Sequence, residues 1–199
     1  MAPKTALLII DMQRYFESMT TTALPNIKRL ITHFQHTSSP IIFTQHGHTP
    51  DELSGKTSNQ LVRKWGPNGS IAINSHAWHI QDSLQHYLKD TPSPTTKPSS
   101  KRPRIVLKNT YDAFINTNLQ QILDEANVQR VVVCGVMTDC CCDTTARSAF
   151  NRGFETWLVG DACGSANRKQ HEAGLRGFGF AFGEILGTEE ACGRLGEEE

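Results

Sequence analysis

Residues 131–150, VVVCGVMTDCCCDTTARSAF, decide the fold of this chain. The run opens with three valines and no polar alternation, a pattern typical of a buried strand in a parallel sheet covered on both faces. Gly135 permits a tight exit, and Thr138 and Asp139 are predicted to cap the helix that follows. Cysteines occupy its first turn, where the helix dipole and unpaired N–H groups favour a thiolate. The stretch therefore predicts a strand–turn–helix unit with a candidate nucleophile, although such cysteines also serve simply as packing residues.

Similar apolar runs recur along the chain and alternate with helical patterns. The predicted strands cover residues 5–10, 41–44, 105–107, 131–133, 154–159 and 184–186. Predicted helices cover residues 24–35, 79–88, 119–127 and 169–180, together with the helix after residue 137 and a terminal helix that begins at Thr188. This alternation predicts one α/β domain over residues 1–199, a three-layer αβα, Rossmann-like fold with a six-stranded, mainly parallel sheet.

Two segments lack such periodicity. Residues 49–75 contain Gly, Pro, Asn and Ser without a sustained period, so we expect a long excursion over the sheet edge, where ligand-covering loops usually lie. Residues 91–104, TPSPTTKPSSKRPR, have four prolines, four basic residues and no apolar residue, which predicts a mobile surface loop.

Composition excludes several functional classes. The 199 residues include 20 Lys plus Arg and 20 Asp plus Glu. The chain therefore has no excess of basic residues that would favour binding to nucleic acid or to an anionic membrane. The apolar run at residues 6–10 is too short for a signal peptide or a membrane span, which predicts a cytoplasmic protein. Three of the six cysteines are adjacent, which favours reduced thiols over a disulfide framework.

Three predicted strands deliver ionisable residues to one edge of the sheet. Asp11 follows the first strand, Lys108 follows the middle one, and Cys141 follows the next. Because sites in such folds lie beyond the carboxyl ends of parallel strands, these side chains are expected to converge. A carboxylate, an ammonium and a thiol can act as base, electrostatic partner and nucleophile.

The sequence resembles the isochorismatase-like superfamily of cysteine hydrolases, which includes isochorismatases, nicotinamidases and related amidases. The matching segments are ALLIIDMQRYF at 6–16, VLKNTYDAF at 106–114, VVVCGVMTDCCCDTTARSAFNRGF at 131–154 and LVGDACGS at 158–165. The residues that match the superfamily's most specific signature are Gly135, Val136, Thr138, Asp139, Cys141, Thr145 and Ala146. The combination is far more specific than any one of its parts.

The resemblance implies an Asp–Lys–Cys triad, carried onto Asp11, Lys108 and Cys141. It also implies a cis peptide bond between Val136 and Met137. The implied use of that bond is to turn the N–H groups of Met137 and Cys141 toward an oxyanion.

The resemblance further indicates a substrate pocket and raises the question of a metal. The expected substrate-binding residues are Gln13, Phe16, Trp65, Tyr111, Phe114, Val136 and Met137. Nicotinamidases of the superfamily bind a divalent ion through an Asp-x-His triplet and a further histidine, but this chain has His46-Gly47-His48 there. His46 and His48 could join His76 in a zinc-type site. We favour instead ordinary polar residues beside the pocket and no cofactor.

The implied activity is hydrolysis of a small amide C–N bond through a thioester acyl-enzyme. The alternative is hydrolysis of the vinyl ether of isochorismate with Asp11 as general acid, a reaction that needs no thiol. A second alternative is a non-catalytic binding member on the same scaffold. The expected partner is a small molecule, with neither nucleic acid nor membrane, and the resemblance implies a homo-oligomer.

Overall fold

A six-stranded parallel sheet forms the centre of the computed structural model, which describes residues 2–37, 39–88 and 103–197. The strands are β1 (Thr5–Ile10), β2 (Ile41–His46), β3 (Arg104–Lys108), β4 (Arg130–Val136), β5 (Glu155–Gly164) and β6 (Glu184–Leu186). Their order is β3-β2-β1-β4-β5-β6, and each neighbouring pair is parallel. The predicted α/β architecture is therefore confirmed.

Helices cover both faces of the sheet. The α-helices are α1 (Glu17–Thr20), α2 (Leu24–Gln35), α3 (Pro50–Leu53), α4 (Gln60–Trp65), α5 (Gln85–Leu88), α6 (Leu119–Glu125), α7 (Asp143–Asn151), α8 (Arg168–Ala181) and α9 (Thr188–Glu197). Apolar residues of α2 and α9 pack on one face, and those of α6, α7 and α8 pack on the other. Burial on both faces explains why β1 and β4 read as continuous apolar runs.

The strand order places the carboxyl ends of β1 and β4 side by side at the centre of the sheet. The chain leaves β1 toward β2 on one side, whereas β4 leads to β5 on the other, so a crevice opens between them. Asp11 directly follows β1, and Lys108 ends β3 in register with His46 at the end of β2. The topology thus directs these side chains to one edge.

Gly135 shows how tightly these two central strands approach. It lies inside β4 and not at its exit, and its φ of 118° suits glycine. A Cβ atom there would lie 2.2 Å from the carbonyl oxygen of Ile10 in β1. A side chain at this position would push the two strands apart.

Three predicted segments differ from the structure. The excursion at residues 49–75 contains α3, α4 and the 3-10 helix Pro67–Gly69, because its Thr, Asn and Pro residues begin short helices that periodicity does not reveal. The helix predicted at 79–88 is shorter: the 3-10 helix Asp82–Leu84 leads into α5. Of the loop predicted at 91–104, residues 91–102 lie outside the described residues, and Arg104 already belongs to β3.

Within the described ranges, every helix is too short or too polar to cross a membrane.

Candidate active site

Asp11, Lys108 and Cys141 meet at the carboxyl edge of the sheet. The ammonium Nζ of Lys108 lies 2.7 Å from Asp11 Oδ2 and 3.4 Å from Cys141 Sγ. Both charged side chains are fully buried. One lysine therefore bridges a carboxylate and a thiol in a region shielded from water, where electrostatic interactions are strong.

Neighbouring groups fix the acid and the lysine. The hydroxyl of Thr44 donates to Asp11 Oδ1 at 2.6 Å and accepts from the backbone N–H of Asp11 at 3.0 Å. Asp11 has a φ of 47°, a left-handed conformation that aspartate tolerates better than most residues. Lys108 Nζ also donates to the carbonyls of Thr110 at 2.9 Å and Tyr111 at 3.4 Å. The two charged side chains are thus held on several sides.

Burial acts against a thiolate at Cys141, opposite to the effect expected from the helix dipole. Burial raises the pKa of Cys141; Lys108 opposes this in part, whereas Asp11 adds to it through its charge and by accepting a hydrogen bond from the thiol. Burial alone would lower the pKa of Lys108, but Asp11 and Cys141 outweigh it and raise that pKa. The geometry is an ion pair in contact with a buried thiol.

The turn that carries Cys141 begins differently from the predicted cap. The N–H of Cys142 donates to the carbonyl of Met137, five residues back, at 3.1 Å, which makes one wide π-type turn before α7. Thr138 and Asp139 do not cap it. The Thr138 hydroxyl donates to the carbonyl of Gly164 at 2.9 Å, and contacts outside the turn likewise hold Asp139. The Val136–Met137 peptide bond is cis, as the resemblance implied.

An aromatic pocket of about 160 Å³ opens above this turn. Four of the expected substrate-binding residues line it together with Cys141: Phe16, Trp65, Tyr111 and Met137. The sequence did not single out these other lining residues: Tyr15, Met19, Leu61, Gly69, Ser70, Ile71, Cys140 and Ala166. Both imidazoles of the His46-Gly47-His48 triplet complete the wall.

Three expected substrate-binding residues lie outside the pocket lining. Gln13 is buried, and its amide donates to the carbonyls of His46 at 2.8 Å and Trp78 at 2.7 Å, so it joins β2 to the 3-10 helix His76–Trp78. Phe114 and Val136 are buried in the hydrophobic clusters on opposite faces of the sheet. Their proximity to matched motifs therefore reflects packing, and we do not propose them as substrate contacts.

The six cysteines are free. Cys142 is fully buried in the core, whereas Cys140 is half-buried and its thiol faces the pocket. Burial, followed by the charges of Asp139 and Asp143, raises the pKa of Cys140 to about 11. Two thiols with different surroundings therefore lie in or below the pocket wall, and Lys108 contacts that of Cys141.

The histidine pair does not form a complete metal centre with the described residues. The Nε2 atoms of His46 and His48 face each other at 3.0 Å, as expected for side chains on one side of an extended segment. His76 is exposed in the 3-10 helix His76–Trp78, and within residues 2–37, 39–88 and 103–197 no three His, Cys, Asp or Glu side chains are arranged to hold a metal ion. Catalytic zinc usually has three protein ligands, so two imidazoles are insufficient.

Sequence reasoning also missed Glu52, a buried carboxylate beside the pocket wall. Its Oε2 lies 3.8 Å from Nδ1 of His48, and Thr49, Asn59 and Asn109 donate hydrogen bonds to its two oxygens. The spacing Thr49-x-x-Glu52 is the signature of a capping box and could have located this residue.

The buried imidazole of His46 predicts that the free energy of unfolding decreases at acidic pH. Burial, followed by the charge of Lys108, lowers the pKa of His46 from 6.5 to about 3. Between these values the unfolded chain binds more protons, so stability is full above pH 6.5 and falls as the pH falls. We expect a slope of about 1.4 kcal/mol per pH unit from this ring.

Urea unfolding at pH 7, 6 and 5 measures this slope in wild type, in His46→Gln and in the exposed control His76→Gln. We expect His46→Gln to flatten the dependence and His76→Gln to leave it intact. Equal slopes in all three proteins would contradict a buried neutral His46.

Comparison with known proteins identifies the family. The family model described as the Isochorismatase domain matches residues 5–190. Nicotinamidase 3 of Arabidopsis thaliana is 35% identical over 181 residues, which cover 91% of this chain and 83% of that protein. Enterobactin synthase component B of Escherichia coli K12 is 28% identical over 194 residues, 94% of this chain and 62% of that protein.

A solved structure has the same fold. The cysteine hydrolase from Pseudomonas syringae pv. phaseolicola 1448A superimposes with a TM-score of 0.81 at 21% identity, covering 98% of this chain and 94% of that one. The family match spans all six strands of the sheet and all three residues that meet at its edge. The chain is a hydrolase of the isochorismatase family.

Proposed function

We propose that the protein hydrolyses a small amide C–N bond, with Asp11 as base, Lys108 as electrostatic partner and Cys141 as nucleophile. The observation that carries this proposal is the buried contact of Lys108 with both Asp11 and Cys141. An ion pair with only a structural role would not need a thiol as its third member. The same thiol lines the pocket, where a substrate carbonyl can reach it.

Acylation begins from the neutral thiol. As the sulfur of Cys141 attacks the carbonyl carbon, its proton passes to Asp11, which contacts the same ammonium of Lys108 as the thiol. Lys108 stabilises the negative charge that develops on the sulfur. The tetrahedral intermediate then collapses, the C–N bond breaks, and Asp11 returns the proton to the leaving nitrogen, which departs as ammonia or an amine.

Deacylation restores the enzyme. Water attacks the thioester carbonyl while Asp11 accepts a proton from it, and the C–S bond breaks. The proton then returns to the sulfur of Cys141, and the carboxylic acid leaves. Because Asp11 serves as base in both halves, its carboxylate must be ionised at the start of each.

The N–H groups of Met137 and Cys141 are proposed to bind the oxyanion. Both residues line the pocket, so an oxygen between them would also lie close to the attacking sulfur. Backbone N–H groups that are already in place stabilise a developing charge without further reorganisation.

The pocket favours a small, uncharged substrate. Four aromatic side chains line it, and Tyr15 and Trp65 use their polar atoms within the wall: Tyr15 Oη donates to the carbonyl of Gly69 at 3.2 Å, and Trp65 Nε1 donates to Tyr111 Oη at 2.8 Å. Burial lowers the pKa of His46 and of His48, so both imidazoles in the wall are neutral. Similarity to a nicotinamidase makes nicotinamide the first carboxamide to test.

A hydrolysis screen tests the proposal against the other chemistry of the family. Ammonia release is measured from nicotinamide and other small carboxamides, and pyruvate release is measured from isochorismate. We expect ammonia release with at least one carboxamide, because a dicarboxylate such as isochorismate fits a neutral aromatic pocket poorly. Pyruvate release without ammonia release would contradict the proposal, and release of neither would favour a binding protein.

A further inference from the structure

Glu52 is a buried carboxylate that the proposed steps do not use. It lies in α3 and is only 6% exposed. Its Oε1 accepts hydrogen bonds from the side-chain amides of Asn59 at 2.8 Å and Asn109 at 2.7 Å. Its Oε2 accepts from the backbone N–H of Thr49 at 2.8 Å. A charge so deeply buried is retained only where several donors satisfy it.

Helix capping explains only half of these contacts. Thr49 and Glu52 form a capping box, in which each side chain accepts from the backbone N–H of the other residue. That exchange needs only Oε2. The bonds to Oε1 come from Asn59 at the start of α4 and from Asn109, which is 57 residues away. Glu52 therefore joins three separate segments.

The most distant of these segments carries Lys108. Asn109 follows Lys108 directly, and the carbonyl of Lys108 accepts from the N–H of Gly47 at 2.9 Å. Asn59 also donates to the carbonyl of Asn109 at 3.2 Å. The carbonyls of Lys108 and Asn109 thus accept hydrogen bonds from Gly47 and Asn59, and Glu52 binds the side chains of both Asn59 and Asn109.

Glu52 also faces the pocket imidazole of His48. The 3.8 Å between Glu52 Oε2 and His48 Nδ1 is too long for a hydrogen bond, but the carboxylate charge favours a proton on Nδ1. With the proton on Nδ1, Nε2 of His48 is left as an acceptor, and it lies 3.0 Å from Nε2 of His46. The position of Glu52 therefore favours the Nδ1–H tautomer of His48.

We propose that Glu52 is a positioning residue, whose carboxylate holds the turn after Lys108 and orients the pocket imidazole of His48. This inference rests on the proposed function, because the reacting group that it aligns is the bridge from Lys108 to Asp11 and Cys141. Glu52 does not line the pocket and acts only through Asn109 and His48.

Steady-state kinetics on an active carboxamide test the inference. In Glu52→Gln, one acceptor oxygen and the charge are lost while the size is kept, so we expect kcat to fall about 10- to 100-fold. KM should change less than about twofold, because the pocket wall is retained. Asp51→Asn is the matched control: it lies on the same helix and loses the same charge, but it is exposed and pairs with exposed Lys56. We expect it to match wild type.

Asn109→Ala removes the hydrogen bond between Asn109 and Glu52 by deleting its donor. We expect a fall in kcat no larger than that of Glu52→Gln, because the contact between Glu52 and His48 is kept, and little further loss when Asn109→Ala is added to Glu52→Gln. If Glu52→Gln does not fold, Asn109→Ala gives the same test alone. Wild-type kcat in the folded single variants would overturn the inference.

Nitrogen-15 NMR of the His48 ring supplies a readout that a purely structural role would not move. We expect the Nδ1–H tautomer in wild type and loss of that single form in Glu52→Gln. An Nε2–H tautomer in wild type would also overturn the inference. If Cys141→Ala stays active, the proposed function fails; if it is inactive while Glu52→Gln and Asn109→Ala match wild type, only the role of Glu52 fails.

Discussion

Replacement of Cys141 by alanine is expected to abolish amide hydrolysis, with kcat reduced by at least about 10⁴-fold. The variant keeps the Asp11–Lys108 ion pair and the pocket but lacks the sulfur that forms the thioester. Because Asp11 and Lys108 still pair with each other in the variant, the change leaves no buried charge without a partner. Ammonia release under saturating substrate measures the loss.

Cys140→Ala is the matched control for this variant. Cys140 is the preceding residue and its thiol also faces the pocket, but Lys108 contacts the thiol of Cys141. We expect Cys140→Ala to keep kcat within about tenfold of wild type. Retention of amide hydrolysis by folded Cys141→Ala would refute the thioester route and favour a reaction in which Asp11 acts alone.

Replacement of Lys108 by methionine is expected to cost both activity and stability. The change leaves the fully buried carboxylate of Asp11 without its countercharge, which destabilises a protein by about 3–5 kcal/mol. Addition of Asp11→Asn removes that charge, so the double variant should regain most of the lost stability. Neither variant should hydrolyse amides, since one lacks the electrostatic partner and the other also lacks the base.

Urea unfolding with a double-mutant cycle measures this coupling. Lys56→Met is the control, because Lys56 pairs with Asp51 at 3.3 Å on the surface, where such pairs contribute less than about 1 kcal/mol. A coupling energy between Asp11 and Lys108 no larger than that of the surface pair would show that the ion pair is solvated, contrary to its burial.

The convergence of Asp11, Lys108 and Cys141 was predictable because it follows from strand polarity. Parallel strands align their carboxyl ends, so residues that follow apolar runs must meet at one edge once the runs pair in this order. Because both faces of the sheet are buried, its central strands are continuous apolar runs, and this pattern predicts strands even though polar and apolar residues do not alternate. The resemblance then supplied the roles that spacing alone cannot give.

The pocket wall was less predictable because it depends on side-chain direction. Phe114 ends a matched segment but packs into the core, whereas Leu61 lies in a segment without a match and faces the pocket. The Thr138 hydroxyl donates a hydrogen bond to the carbonyl of Gly164, at the end of β5, and does not cap its own turn. Local propensity cannot predict a contact with a residue so distant in sequence. The depth at which the Cys141 thiol is buried is likewise a tertiary property, and it raises the pKa of that thiol.

The most direct measurement of the central claim is the mass of the protein quenched in acid during turnover of an active carboxamide. We predict an added mass equal to the acyl group, located on the peptide that contains Cys141 and absent from Cys141→Ala. An acyl group on another residue, or full turnover by the variant, would contradict the account.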